Sequence, residues 1–375
     1  MKGLEDRIRD ACAVADTWGP EEPRPLRLPV RPRFRLNVIA PLTAAVAVVL
    51  VVSLVLVFLP RHPRSAPSAP ATVSPYLLAV TDGTLYVVDS RTGRPHGEEK
   101  TGYGQAVTRG PRPGTYLVSQ PGGGGSNGPS RIRTVRLTAD GRVETETAPR
   151  WSIPGIVREL ALSPDGRRLA YSTREFTLAP GKPVDIHPIV IGVLDLHTGA
   201  RREWTLPKAQ DASASTKAEE WNWGLSWSGD DATLLFTAHV TGRAAQVRAL
   251  DTTAPGSDLR SARVLVAGAG RIGGSIAFAV SPGDRHTVVA AVDGARSSGR
   301  ARAVLAEYVD GRFTRILATL PGCGLVHMLT SGPNGLLLSR NSLQCGSGSA
   351  SLIVMSGGRI RNGFSSEGSI DGAAW

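Results

Sequence analysis

From residue 104 to the C-terminus one pattern recurs: an apolar strand, a tight turn of Gly, Pro, Asp or Asn, a second apolar strand, then a third and a weaker fourth. Its clearest copy is VRELALSPDGRRLAY at 157–171, followed by HPIVIGVLDLHTGARREWTL at 187–206. Further copies are WNWGLSWSGDDATLLFTA at 221–238 with QVRALD, IAFAVSPGDRHTVVAAV at 276–292 with AVLAEYVDGRFTRILATL, and LVHMLTSGPNGLLLSR at 325–340 with ASLIVMSGGRIRNGFS. A looser copy, GQAVTRGPRPGTYLVSQ with RIRTVRLTADGRVETETA, spans 104–148. The residues that open the first turns, Arg109, Ser163, Ser228, Ser281 and Ser331, are 54, 65, 53 and 50 residues apart. A period near fifty with four strands per unit is the spacing of propeller blades.

The chain ends complete the count. SIDGAAW at 369–375 supplies a first strand with nothing after it, and Trp375 stands where Trp227 stands, just before a turn. YLLAVTDGTLYVVDSRTG at 76–93 supplies later strands with no first one. A sixth blade built from both ends leaves no open sheet edge. The fold class expected for 75–375 is therefore all-β, a six-bladed β-propeller.

SPDGRRLAY, together with the strand-turns LDLHTG and VDSRTG, resembles the TolB-like, WD-type propeller repeats of bacterial envelope proteins. The resemblance covers about 300 residues and is close in one or two blades; SGDD at 228–231 and SPGD at 281–284 depart from its turn pattern. It implies protein or ligand binding on a propeller face and brings no catalytic residue with it.

A second feature assigns compartments. Val38 to Leu59 is a run of 22 residues with no charge, 15 of them Val, Leu, Ile or Phe. As a helix it reaches about 33 Å, enough to cross a hydrocarbon core of about 30 Å. Pro41 falls in the first turn, where its missing N–H costs little. Arg24, Arg27, Arg31, Arg33 and Arg35 precede the run and Arg61 and Arg64 follow it, which places the N-terminus in the cytoplasm and the propeller outside the plasma membrane. SAPSAPA at 65–71 offers a peptidase small residues, but the apolar run and the segment before it are both too long for a signal peptide, so an uncleaved anchor is favoured. In the stub, residues 1–37, Leu4, Ile8, Ala11, Cys12 and Ala15 recur at helical spacing; such a helix either docks on a cytosolic partner, lies on the membrane, or frays. Residues 60–74 are a stiff Pro/Ser-rich spacer.

Charge narrows the partners less. The net charge is +11, which would favour anionic envelope polymers or lipid head groups, yet 38 of the 43 basic residues are Arg, as the codon usage of a high-GC genome would produce, and that reading is preferred. The basic residues form no cluster interleaved with aromatics, so no nucleic-acid partner is expected.

No catalytic constellation is legible. GAGRIG at 268–273 meets the GxGxxG pattern, but a strand and a turn follow it where a phosphate-binding helix would be needed; it reads as an inter-blade loop. There is no GxSxG elbow, and the seven His never approach metal-ligand spacing. No cofactor, metal or enzymatic activity is expected. Trp221, Trp223, Leu225 and Trp227 alternate onto one strand face, to stack on a sugar ring or to pack against the next blade. The long insertions 121–130, 175–188 and 207–220 leave the blades as polar loops, and Trp221, Trp223, Asp185 and His187 are the candidate binding residues beside them. The turn at Pro333-Asn334 sets Cys323 opposite Cys345, a pair that would oxidise outside the cytoplasm, whereas Cys12 stays reduced. The expected function is a membrane-anchored, non-catalytic module that binds an unknown protein or envelope ligand; the alternative is a transmembrane regulatory transducer, anti-sigma-like, whose stub holds a cytosolic partner.

Overall fold

A computed structural model describes residues 75–375 apart from 101–105, 123–127, 146–150, 175, 178–184, 187–188, 206–223, 239–243, 270–274, 284, 294–301, 322–324, 333–334, 342–348, 357–358 and 368. The stub with Leu4 and Ile8, the apolar run 38–59, the spacer, Trp221, Trp223, His187, Cys12, Cys323 and Cys345 lie outside the described residues. No helix among the described residues is long and apolar enough to cross a membrane.

Six antiparallel four-stranded sheets follow one another. Blade I pairs, from inner to outer strand, Ile370–Ala374, Tyr76–Thr81, Thr84–Asp89 and Pro95–Lys100. Blade II pairs Val107–Arg109, Thr115–Pro121, Ser130–Leu137 and Val143–Thr145, with a fifth strand, Trp151–Ile153, against Ser130–Leu137. Blade III is Ile156–Leu162, Arg168–Arg174, Val190–Asp195 and Arg201–Thr205; blade IV is Ser226–Trp227, Thr233–Ala238, Gln246–Asp251 and Arg263–Ala267. Blade V is Ser275–Gly283, His286–Asp293, Arg302–Val309 and Arg312–Pro321; blade VI is Leu325–Gly332, Gly335–Asn341, Ser349–Ser356 and Arg359–Glu367. Neighbouring inner strands touch all the way round, blade VI against blade I included, so the ring is closed.

The reason these strands read as continuous apolar runs lies in the packing. Each is sandwiched between two neighbouring blades, so both of its faces are buried. In Tyr76–Thr81, Leu77 and Ala79 pack with Leu337, Leu352 and Phe364 of blade VI, whereas Leu78 and Val80 pack with Val107, Tyr116 and Val135 of blade II. The same alternation divides the core into six apolar clusters, one per blade junction. Closure of blade I rests on the register Leu78↔Ala374, Ala79↔Ala373 and Val80↔Gly372. Gly372 carries no side chain because a Cβ there would lie 3.1 Å from the backbone N of Val107, on the inner strand of blade II. Asp82-Gly83 and Asp310-Gly311 both have positive φ, the pairing a two-residue hairpin turn requires.

The hairpin of blade VI differs from the sequence expectation. Gly332 faces Gly335, a register that continued unbroken would set Leu325 opposite Ser342, and a bulge between Met328 and Thr330 carries it one residue further, to Leu325↔Asn341; the pairing of Leu325 with Leu343 that would set Cys323 opposite Cys345 is not formed. An extra residue in one strand is invisible to counting outward from a turn.

Candidate functional site

Strand direction gives the ring two unlike ends. At one end lie the turns from first to second and from third to fourth strand, mostly short; at the other lie the connections from second to third strand and from each blade to the next. The insertions 121–130 and 175–188 join second to third strands and 207–220 joins blades III and IV, so all three depart from the same end. Within 175–188, Phe176–Thr177 pairs with Asp185–Ile186 as a separate two-stranded sheet that places Asp185 opposite Thr177.

On the inner strands at this loop end stand ionisable groups that the sequence reading passed over. The carboxylate of Glu159 accepts hydrogen bonds from the backbone N–H of Gly224 (2.6 Å) and Leu225 (3.0 Å), tying blade III to the entry of blade IV. Burial pushes its pKa up to about 7, and the two N–H donors hold that rise back. Asp371, on the inner strand of blade I, is also raised: the surrounding protein is the first cause, the charge of Asp82 adds to it, and the Ser369 hydroxyl and Arg158 oppose it. It keeps surface open to solvent. Arg158 and Asp371 stand on the inner strands of blades III and I. Buried hydroxyls continue this polar belt on the second strands: Ser119 Oγ accepts from Ala106 N at 3.0 Å, Thr81 Oγ1 donates to Ser369 O, and Ser172 lies directly opposite Glu159. The signal for this belt was a charge pair, Arg158-Glu159, inside an otherwise apolar first strand, VRELAL.

The tryptophan face resolves in favour of packing for its described members. Leu225 and Trp227 are buried in the junction between blades III and IV, and Trp227 Nε1 donates to Ala161 O at 2.9 Å. Arg168 lies 5.1 Å from the Trp227 ring centroid and its guanidinium also reaches Asp231 O. GAGRIG spans the connection from the outer strand of blade IV to the inner strand of blade V; Gly268 takes φ +71° where the outer strand ends.

The turns at the other end are held by hydrogen bonds within each turn and between neighbouring blades, as where Asp165 N donates to Asp231 Oδ1 at 2.8 Å. In SPDGRR, Ser163 Oγ donates to Asp165 Oδ1 (2.6 Å) and Arg168 N donates back to Ser163 Oγ (2.9 Å). Asp89 accepts from the N–H of Arg91 and Thr92, and Asp195 from those of His197 and Thr198. These N–H donors hold both carboxyls below the usual range.

No family model matches the sequence, and comparison with curated proteins finds no match. Among solved structures, the chain is similar to TolB from Acinetobacter baumannii, with 16% identity over 80% of this chain and 65% of that one, at a TM-score of 0.48. A putative TolB from Agrobacterium tumefaciens is similar at 19% identity, covering 66% of this chain and 79% of the other, with a TM-score of 0.42. A putative 6-phosphogluconolactonase from Bacteroides fragilis is similar at 12% identity, covering 80% and 85%, with a TM-score of 0.41. The likeness is one of propeller architecture, and the chain spans less than two thirds of the Acinetobacter protein's length.

Proposed function

We propose that this chain is a membrane-anchored, non-catalytic binding module whose propeller stands outside the plasma membrane and recognises a protein or envelope ligand with its loop end. The observation that carries the reading is the placement of 121–130, 175–188 and 207–220 at one end of the ring, around inner strands bearing Glu159, Arg158 and Asp371. A rigid closed scaffold with long polar loops gathered at one end is a platform for recognition. Of the ionisable groups there, the Glu159 carboxylate is held by the backbone N–H of Gly224 and Leu225.

A face-by-face crosslinking scan in living cells tests it. A photoactivatable residue at Asn127 or Ser213 is expected to trap one discrete partner, and the same residue at Thr92 or Thr198, on the turn end, is expected not to trap it. Trapping from the turn positions alone would overturn the reading.

A further inference from the structure

Each of the six blades begins its outer strand with an arginine: Arg94, Arg142, Arg201, Arg263, Arg312 and Arg359. Arg94 and Arg142 immediately precede Pro95 and Val143, and the other four are the first residues of their strands. All six are exposed. Because every outer strand starts where the third strand ends, the six arginines lie on the turn end of the ring, one per blade around its rim. The turn ends are held side by side: His96 Nε2 lies 2.7 Å from Asp140 O between blades I and II, and Arg202 Nη1 donates to Thr252 O at 2.9 Å between blades III and IV.

The carboxylates of the same turns are already engaged. Asp89, Asp195 and Asp251 accept hydrogen bonds from their own turns, Asp140 binds Arg142, and Asp310 binds Arg285. Arg201 reaches Ser152 O at 3.1 Å. Of the ring, Arg94, Arg263, Arg312 and Arg359 carry the exposed guanidinium forks that make no such contact among the described residues. Among the described residues the exposed large apolar side chains are Val264, Ile316 and Ile360, all on outer strands of blades IV to VI; two of them directly follow a ring arginine. Cationic forks interleaved with aliphatic side chains suit the boundary between lipid headgroups and acyl chains.

The point of entry of the chain adds an independent constraint. Pro75 and Tyr76 begin a second strand, which starts at the turn end: Ser90 N donates to Pro75 O at 2.8 Å and Tyr76 pairs with Asp89, the residue that opens the first such turn. The chain that precedes Pro75 therefore leaves from the end that carries the arginine ring. Its fifteen-residue spacer, 60–74, reaches at most about 45 Å when extended.

We infer that the turn end of the propeller rests on the anionic phospholipid headgroups of the membrane that anchors it, through the six-arginine ring, so that the loop end faces away from the membrane. The inference rests on the anchored reading above, and the test separates the two. The full-length protein is reconstituted into nanodiscs of phosphatidylcholine alone or with phosphatidylglycerol, and hydrogen exchange is followed in residues 89–94, 195–201 and 310–315. Each arginine near an anionic surface adds about a factor of five to binding. Exchange in these turns is therefore expected to slow at least about five-fold in the anionic discs, and 0.5 M salt is expected to reverse it. Replacing the four arginines whose side chains make no hydrogen bond or ion pair among the described residues, R94E, R263E, R312E and R359E together, should abolish the slowing.

The wild-type comparison between lipids stands even if that variant fails to fold. Equal exchange in both discs, with the protein incorporated, overturns the lipid contact and leaves the anchor standing. Failure to incorporate at all removes the anchor and this inference with it. Protection of the loop end instead, or protection in native membrane vesicles but not in anionic discs, would assign the ring to solvent or to an acidic protein and overturn the proposal.

Discussion

Glu159 concentrates the chemistry of the ring into one side chain. A carboxyl whose folded pKa stands above its unfolded value favours the folded state when protonated, so its stabilisation is full below the unfolded value and is lost as pH rises through the folded one. With the ordinary value at 4.5 and the folded one near 7, stability should fall between about pH 4.5 and 7, by up to about 3 kcal/mol. Asp371 acts with the same sign. The lowered turn carboxyls, Asp89, Asp195 and Asp251, act with the opposite sign, since their stabilisation is lost as pH falls through their folded values. Glu159→Gln keeps an acceptor for Gly224 and Leu225 and removes the charge. Thermal unfolding of the full-length protein should show the variant more stable than wild type at pH 8 and level with it at pH 5; an identical slope in both would refute the assignment. A charged residue within an apolar strand was readable at 158–159, but its partners belong to the next blade, 65 residues on, and only assembly of the ring brings them together.

Whole elements were legible where the physics is local. Strands buried on both faces must be apolar along their length, and turns must carry Gly, Asp or Asn, so the first hairpins of four blades, around Ser163, Ser228, Ser281 and Ser331, could be read by inspection, though the exact blade boundaries could not. What the pattern did not show arises between strands: the bulge at Met328, the added strand Trp151–Ile153, and the small hairpin at Phe176–Ile186. The disulfide between Cys323 and Cys345 remains a prediction at this scale. The segments that hold them adjoin the open end of the blade VI hairpin, at Leu325 and Asn341, and lie outside the described residues. Outside the cytoplasm the pair should oxidise and add about 3 kcal/mol. Non-reducing peptide mapping should find the linked pair and a free Cys12; two free outer thiols would reject the bridge.

At the scale of the molecule, ring closure is what makes the two ends distinct, because it sets all six blades in one orientation about the centre. Its seam is one short strand from the far end of the chain, Ile370–Ala374, laid against Tyr76–Thr81 and packed into both adjoining junctions through Ile370, Ala373 and Ala374. That joining of the termini was readable from a first strand with no second at one end and a second with no first at the other. The two-faced character was not, since it depends on strand direction in the assembled ring. Hydrogen exchange of Tyr76–Thr81, in the intact protein and in one lacking 369–375, tests closure most directly. The account predicts that truncation lowers protection of this strand by orders of magnitude and lowers the melting temperature, as ladder groups and the apolar faces of blades VI and II are exposed. Undiminished protection of Tyr76–Thr81 in the truncated protein would contradict it.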